Sequence, residues 1–288
     1  NPHTDFGFKR LFGSEFNKDL LISFLNALFV GEQTVKEVTF LNSEQLGERR
    51  DSRRAIFDVY CQNEQGDRFI VEMQNAFQKY FKDRSLFYST FPIREQAPKG
   101  QDWNFKLDHV YTVALLNFDF KEEAFDQKEI NHDVGLLDKK TFKVFNDKLS
   151  FKYIEIAKFN KSETELETLY DKWLYVLKNL PKLDKRPKAL KERIFTKLFE
   201  EAEIAKFSQQ ELREYEDSLK AYRDIKNSID TAKEEGRKEG RKEGREEGRK
   251  EGREEGREEG VAKEKLATAK RLFGMGFTLE QVAKGTGL

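Results

Sequence analysis

Two short segments, Ala55-Ile-Phe-Asp-Val-Tyr-Cys61 and Arg68-Phe-Ile-Val-Glu-Met-Gln74, restrict this chain more than any other feature in it. Both are rich in β-branched and aromatic residues, the composition of strands. Asn63-Glu-Gln-Gly-Asp67 lies between them and supplies turn residues, with Gly66 free to take a positive φ. Together the three pieces predict an antiparallel hairpin. A hairpin centred on Gln65 sets position 58 opposite position 72. Side chains alternate faces along a strand, so Asp58 goes with Ile56 and Tyr60, and Glu72 with Ile70 and Gln74. Asp58 and Glu72 then become cross-strand neighbours, with Cβ atoms about 5 Å apart. A small shift of the turn centre would separate them, because register decides which face every side chain takes.

Two acids facing each other among Phe, Ile and Val require a partner. Alone they repel and resist burial. A divalent cation removes both difficulties. Hard cations such as Mg²⁺ take oxygen ligands, commonly one or two carboxylates with waters and a substrate phosphate. Held there, such an ion activates water and neutralises charge on a phosphodiester. Two other arrangements fit the same spacing. Asp58 or Glu72 can pair with Arg53, Arg54 or Arg68 on a solvated face, and facing acids also serve glycoside hydrolysis, although nothing in the chain selects for sugar.

Helical signals precede the hairpin. Thr4 or Asp5 caps a first helix that runs to Phe12 and ends near Gly13. Leu20, Leu21, Phe24, Leu25, Leu28 and Phe29 follow at helical spacing and stop near Gly31, and Val35 to Leu41 reads as a short strand. After the hairpin come a helix from about Tyr80 to Gln96, interrupted or kinked at Pro92, and an apolar strand from His109 to Leu116. A second hairpin is expected from Thr141 to Phe159, turning at Asn146-Asp147. Beyond Ser162 the apolar residues Leu166, Leu169, Trp173, Leu174, Val176 and Leu177 predict a helix ending before Pro181, and residues 185 to 232 continue as charged helical sequence. The order is that of an α/β core with a helical C-terminal extension.

The residues around the acid pair resemble a known family. Asp58 on one strand and Glu72-Met73-Gln74 on the next look like the PD-(D/E)xK nuclease motif, with Gln in the Lys position. Thr4-Asp-Phe-Gly-Phe-Lys-Arg-Leu-Phe12 resembles the N-terminal signature of the PD-(D/E)xK nuclease family transposases, also called Rpn-type recombination-promoting nucleases. Arg84-Ser-Leu-Phe-Tyr88 and Gln96 resemble its helix after the motif, and Lys158-Phe159 with the Trp173 helix its later region. The likeness runs from Asp5 to about Leu180. It implies a restriction-endonuclease-like core, a mixed sheet flanked by helices, with DNA as partner and substrate and Mg²⁺ as cofactor, Mn²⁺ or Ca²⁺ being alternatives. It implies that Asp58, Glu72 and the Met73 carbonyl bind metal, that Gln74 joins Asp58 and Glu72 in catalysis, and that Lys9, Arg84, Tyr88 and Gln96 contact substrate. Gln74 carries no positive charge, a departure from the Lys of the motif. Asp5 and Lys9 also fit a helix cap and a surface ion pair. The rival readings are a DNA-binding protein of the same fold with weak or lost cleavage, and a scaffold.

The scaffold reading comes from the C-terminal third. Gly236, Gly240, Gly244, Gly248, Gly252, Gly256 and Gly260 recur every fourth residue among Arg, Lys and Glu. Each glycine costs about 1 kcal/mol against Ala in a helix, and the row drifts about 40° per repeat around a helix. Residues 233–260 therefore predict a marginal helix or a linker, with self-association as a role. Residues 261–288 predict a helical hairpin, or a truncated helix-turn-helix, with a capping box at Thr278-Leu-Glu-Gln281 and a turn at Gly285-Thr-Gly-Leu288. The expected divisions are thus a core at 1–180, an extension at 181–232, the repeat and the hairpin.

Composition narrows the field. The 53 basic residues balance 53 acidic ones, so a globally basic nucleic-acid binder is not indicated, though a local basic stripe can still face phosphates. Cys61 is the only cysteine, which rules out an internal disulfide and a cysteine zinc site and fits a reducing cytoplasm, the expected location. His3, His109 and His132 are scattered, which does not favour a His-rich metal site. No apolar run approaches the roughly 20 residues of a membrane span, so no membrane partner is expected.

Overall fold

The first helix begins where Thr4 Oγ1 accepts the Gly7 N–H at 3.0 Å. It runs as α1, Asp5–Phe12, with Gly13 as its C-cap. Capping satisfies a donor that the helix cannot. α2 follows at Lys18–Leu28, and Gly31 takes a φ of +83° where the chain leaves it. The structure, a computed structural model, describes residues 1–45, 55–97, 102–120 and 128–288. The chain divides into two compact units, Asn1–Lys226 and Asn227–Leu288.

The first unit is built on a six-stranded mixed sheet. Its strands are β1 (Val38–Phe40), β4 (Val59–Asn63), β5 (Arg68–Gln74), β6 (Val110–Leu116), β7 (Asn131–Leu137) and β8 (Val144–Glu155), in the order β1-β4-β5-β6-β8-β7. A separate pair joins β2 (Glu44–Gln45) to β3 (Ala55–Ile56). β4 and β5 form the expected antiparallel hairpin, with Val59 opposite Val71 and Tyr60 opposite Ile70. Gly66 in the turn has a φ of +97°. β5 then pairs parallel with β6, and β6 parallel with β8.

One face of the sheet carries Phe69, Val71, Met73, Val113, Leu115 and Ile154 into the main core. α1, α2, α4 (Leu169–Asn179) and α5 (Arg193–Glu201) cover it. Trp173 is fully buried there, with ring centroids 5.2–5.9 Å from Phe12, Phe24 and Phe195. The other face carries Val110, Ala114, Leu116, Phe151 and Tyr153 against Phe81 of α3 (Phe81–Glu95). Pro92 stands inside α3 rather than ending it.

Two local expectations are corrected. The segment from Ala55 to Cys61 is not one strand. It breaks at Phe57-Asp58, because the Phe57 N–H turns to the Ser43 carbonyl at 3.0 Å and draws β3 away to β2. The second hairpin pairs β7 with β8 and turns at Asp138–Lys143, not at Asn146-Asp147. Asp138 Oδ1 accepts the backbone N–H of Lys140 and Thr141 at 3.0 and 2.7 Å, which closes the turn earlier in the chain. Asn146-Asp147 lies within β8 at a register shift, between the pairs Leu136–Asn146 and Gly135–Ser150. At the far end of this hairpin Glu155, fully buried, accepts from Phe120 N at 2.6 Å and Lys158 Nζ at 2.8 Å, and shares a 2.6 Å hydrogen bond with His132 Nε2.

The glycine repeat lies within α6, Gln209–Gly274, a continuous helix. A Cβ at any of its seven glycines would meet nothing within 4 Å. Its charges make i,i+4 pairs with Glu on the N-terminal side, Glu234–Lys238 at 2.8 Å and Glu259–Lys263 at 3.2 Å, the favourable orientation. α7, Leu279–Thr286, opens with the expected capping box. The helix runs on through Gly285, and only Gly287 turns left-handed, with a φ of +63°. Gly285 lets α7 approach Leu272, whose Cδ1 would stand 3.7 Å from an added Cβ. Among the described residues no helix is long and apolar enough to cross a membrane.

Trp173 ties α4 to α1, α2 and α5 at once. Trp173→Ala should therefore lower unfolding free energy in urea by about 3–5 kcal/mol, the cost of a large ring lost from a packed core. A loss under about 1 kcal/mol would show that the helical layer does not depend on it.

Candidate active site

β5 is the strand that positions the site. The Arg68 N–H bonds to His109 O, and the Gln74 carbonyl accepts from Asn117, both beside β6. Alternation along the strand then directs the N–H and C=O of residues 69, 71 and 73 toward β4. Residues 71 and 69 find Val59 and Cys61. Residue 73 would need Phe57, and that position has left the ladder. The Asp58 carboxylate takes over, and its Oδ2 accepts the Met73 N–H at 2.8 Å. The Met73 carbonyl points to this same side, next to Asp58.

Glu72 projects from the face that α3 covers, in the same row as Ala114 of β6 and Tyr153 of β8. It is buried, 6% exposed. Its Oε2 accepts from Gln74 Nε2 at 3.3 Å, two residues along on the same face. Burial and then the Asp58 charge push the Glu72 carboxyl up to about 7. Burial is also the main cause that raises Asp58, against the Met73 hydrogen bond, which lowers it. Arg84 lies near enough to favour the charged form of both acids, and Lys9 acts likewise on Asp58. Neither cation outweighs the burial.

The two acids lie near enough for the Asp58 charge to act on Glu72, with Met73 bonded to Asp58 and Gln74 to Glu72. Asp58 stands before β4, however, and not opposite Glu72 in the ladder, the place that the hairpin register predicts for it. The ion-pair alternative fails for Arg68, which bonds to Glu95 at 3.1 Å and the Pro92 carbonyl at 2.8 Å. Arg53 and Arg54 lie outside the described residues. Among the described residues no three His, Cys, Asp or Glu side chains converge on a metal-sized space. A cation here would rely on two carboxylates, the Met73 carbonyl and solvent. That all-oxygen set, short of positive charge, suits a hard divalent ion.

The flanking residues divide. Lys9 is paired with Asp5 at 2.8 Å on the exposed side of α1. Arg84 on α3 hydrogen-bonds Gln78 Oε1 at 2.6 Å. The Tyr88 ring packs edge-on against Phe57, centroids 5.7 Å apart, so part of it serves the core. Gln96 is not brought to the acids. It sits past α3 at the start of β6, where its amide accepts the Asp108 N–H at 2.7 Å, and the row of Glu72 lies four residues further along that strand. Its role there is to clamp the loop before β6. Sequence reading missed Tyr153, which lies in the row of Glu72 and shares a hydrogen bond with Ser85 of α3. Its only signal was the parallel pairing of β6 with β8, invisible without the sheet order.

The raised Glu72 carboxyl sets a pH dependence. In the unfolded chain it titrates near 4.5, and in the folded protein near 7. Between those values the folded state holds the proton and the unfolded state does not, so metal-free stability falls as pH rises from about 4.5 to 7. Glu72→Gln cannot ionise. In urea titrations with chelator it should match the wild type at pH 4.5 and exceed it by up to about 3 kcal/mol at pH 8. A variant less stable than wild type at pH 8 would show that Glu72 is satisfied in its charged form.

No curated protein and no solved structure matches the chain. A family model described as PD-(D/E)XK nuclease family transposase matches residues 2–232 of the 288. It spans the whole sheet, both acids and the helices that cover them. Joined to the geometry of β4, β5 and the acid pair, that match settles the family: the chain belongs to the PD-(D/E)XK nuclease family transposases.

Proposed function

We propose that this protein is a Mg²⁺-dependent DNA endonuclease that hydrolyses phosphodiester bonds, and that it cuts DNA in the cytoplasm in the course of transposition or recombination. The observation that carries the reading is the pair Asp58 and Glu72. Both are held in place by backbone geometry, both are pushed toward protonation, and neither has a cation bonded to it among the described residues.

Asp58, Glu72 and the Met73 carbonyl would hold the ion. When bound, it supplies Lewis acidity toward the phosphate and a lower pKa for water. Asp58 is fixed before any ligand arrives, because the Met73 N–H already orients its carboxylate. Preorganisation of this kind removes reorganisation from the reaction step. Gln74 donates to Glu72 and keeps its amide oxygen free to accept from a nucleophilic water. It therefore orients without adding charge. Lys9 and Arg84 flank the acids with the positive charge that Gln74 lacks, in reach of a phosphate. Residues 233–260 take no part in this chemistry; as an exposed helix with balanced charge, their proposed role is self-association.

Plasmid nicking in Mg²⁺ or Mn²⁺ tests the assignment. Asp58→Asn and Glu72→Gln keep the size of the side chains and an oxygen acceptor, so both should fold. Each should reduce nicking by at least about 100-fold, the scale of a lost electrostatic group in a preorganised site. Nicking at the wild-type rate by either variant would overturn the site. A wild-type protein that binds DNA but never nicks it would be a binder that keeps only the fold.

Gln74 is tested separately. In single-turnover cleavage Gln74→Ala should be about 10- to 1000-fold slower, the range of a lost oriented donor, while metal titrations change little. Gln74→Lys should retain part of the rate, since Lys satisfies the motif. If Gln74→Ala cuts as fast as wild type, the amide serves Glu72 alone.

A further inference from the structure

The inward side of α3 is filled by Phe81, Ser85, Ser89, Phe91 and Pro92. Its other side, and the turn before it, carry rings left largely open to solvent, although Phe87 also packs edge-on against Phe91, centroids 5.4 Å apart. Tyr80 is 65% exposed and Phe87 43%. Exposed rings placed together call for a partner more than rings scattered singly. These two, with Lys79, Asp83, Arg84 and Tyr88, line a pocket of about 540 Å³. That lies within the range of small-ligand sites.

The lining alternates rings and cations. Lys79 Nζ stands 5.4 Å from the Tyr80 ring centroid, and the Arg84 guanidinium 5.7 Å from that of Tyr88. Arg84 also connects the pocket to the acid pair, since its charge acts on both Asp58 and Glu72. Asp83 keeps the local charge modest, so stacking rather than bulk attraction would set what binds.

We propose that this pocket takes an unpaired nucleotide of the substrate strand next to the bond that is cut, so that the enzyme prefers single-stranded or locally opened DNA to intact duplex. The inference rests on the nuclease reading above. In a duplex each base is already stacked and paired, and its face is closed to Tyr80 and Phe87. In an open strand every base offers a face, and cations beside the rings meet the phosphates. Ring stacking is tolerant of sequence, so the pocket would select strand state rather than base identity.

The test uses the full chain, in chelator to prevent cutting, with fluorescence anisotropy. The probes are a labelled oligonucleotide of about 20 residues and the blunt duplex of the same sequence. Wild type should bind the single strand about 10-fold tighter or more. Tyr80→Ala and Phe87→Ala should each weaken single-strand binding by about 5- to 150-fold, the equivalent of about 1–3 kcal/mol per stacked base. The preference should then collapse toward 1, while Tyr80→Phe keeps it. Both residues are exposed, and thermal melts check that the variants fold. Equal binding of the two probes by wild type, or an unchanged preference in both alanine variants, overturns the inference. If wild type nicks duplex plasmid in Mg²⁺ while showing no preference, only the pocket assignment falls. If it neither binds nor cuts any DNA, the nuclease reading falls and takes the pocket with it.

Discussion

One hydrogen bond at the end of a ladder organises the site: the Met73 N–H to the Asp58 carboxylate, 2.8 Å long. A continued strand would have bonded Met73 to the backbone of residue 57. Both polar groups of Met73 would then have been consumed by the sheet. Because β4 begins only at Val59, a side-chain oxygen accepts the donor and the carbonyl is left on the same side as the Asp58 carboxylate. The break thus turns an ordinary sheet edge into a group of oxygens. Its cost is small, since a charge-assisted bond to a carboxylate replaces the ladder bond.

Burial of Glu72 is the second constraint. A carboxylate among Ala114, Tyr153 and the aromatic residues of α3 loses hydration that one amide of Gln74 does not restore. Ionising Glu72 in the folded protein is therefore unfavourable, and its carboxyl holds a proton up to about pH 7. Any group that binds there with positive charge recovers that energy. Shifted carboxyls of this kind are expected where a site does chemistry, which is why the proposed function rests on this pair. By contrast Glu155 is more deeply buried but has Phe120 N, Lys158 and His132 around it. That acid is spent on structure, holding the β7–β8 hairpin to the chain after β6.

The parts of the fold legible in the sequence are those fixed by local chemistry. The Thr4 cap, the Gly66 turn and the Thr278 capping box each depend on a few adjacent residues. The β4–β5 register was legible too, because a short turn leaves little freedom in the pairing. β7 was not. Asn131-His-Asp-Val-Gly-Leu-Leu137 has no strand-like pattern, and it is extended because β8 offers an edge to pair with. The expected turn at Asn146-Asp147 failed for a related reason. Asp138, whose side chain binds two N–H groups of its own turn, made the tighter closure, and Asn-Asp was absorbed as an irregularity inside a long strand.

The sequence by itself determined which residues could form the site: two acids at positions 58 and 72, with Gln74 beside them, on a hairpin whose centre is Gln65. Backbone periodicity and turn chemistry are local, so they survive without knowledge of the rest. Tertiary structure decided three things that are not local. It broke the strand at Asp58, because Ser43 competes for the Phe57 N–H. It set Arg84 beside the acids and Gln96 at the other end of β6, because packing of α3 on the sheet, not spacing along the chain, chooses which end of a helix meets the site. It also buried Glu72, and with that the charge balance of the site, since desolvation is a property of everything that surrounds a group and not of the group itself.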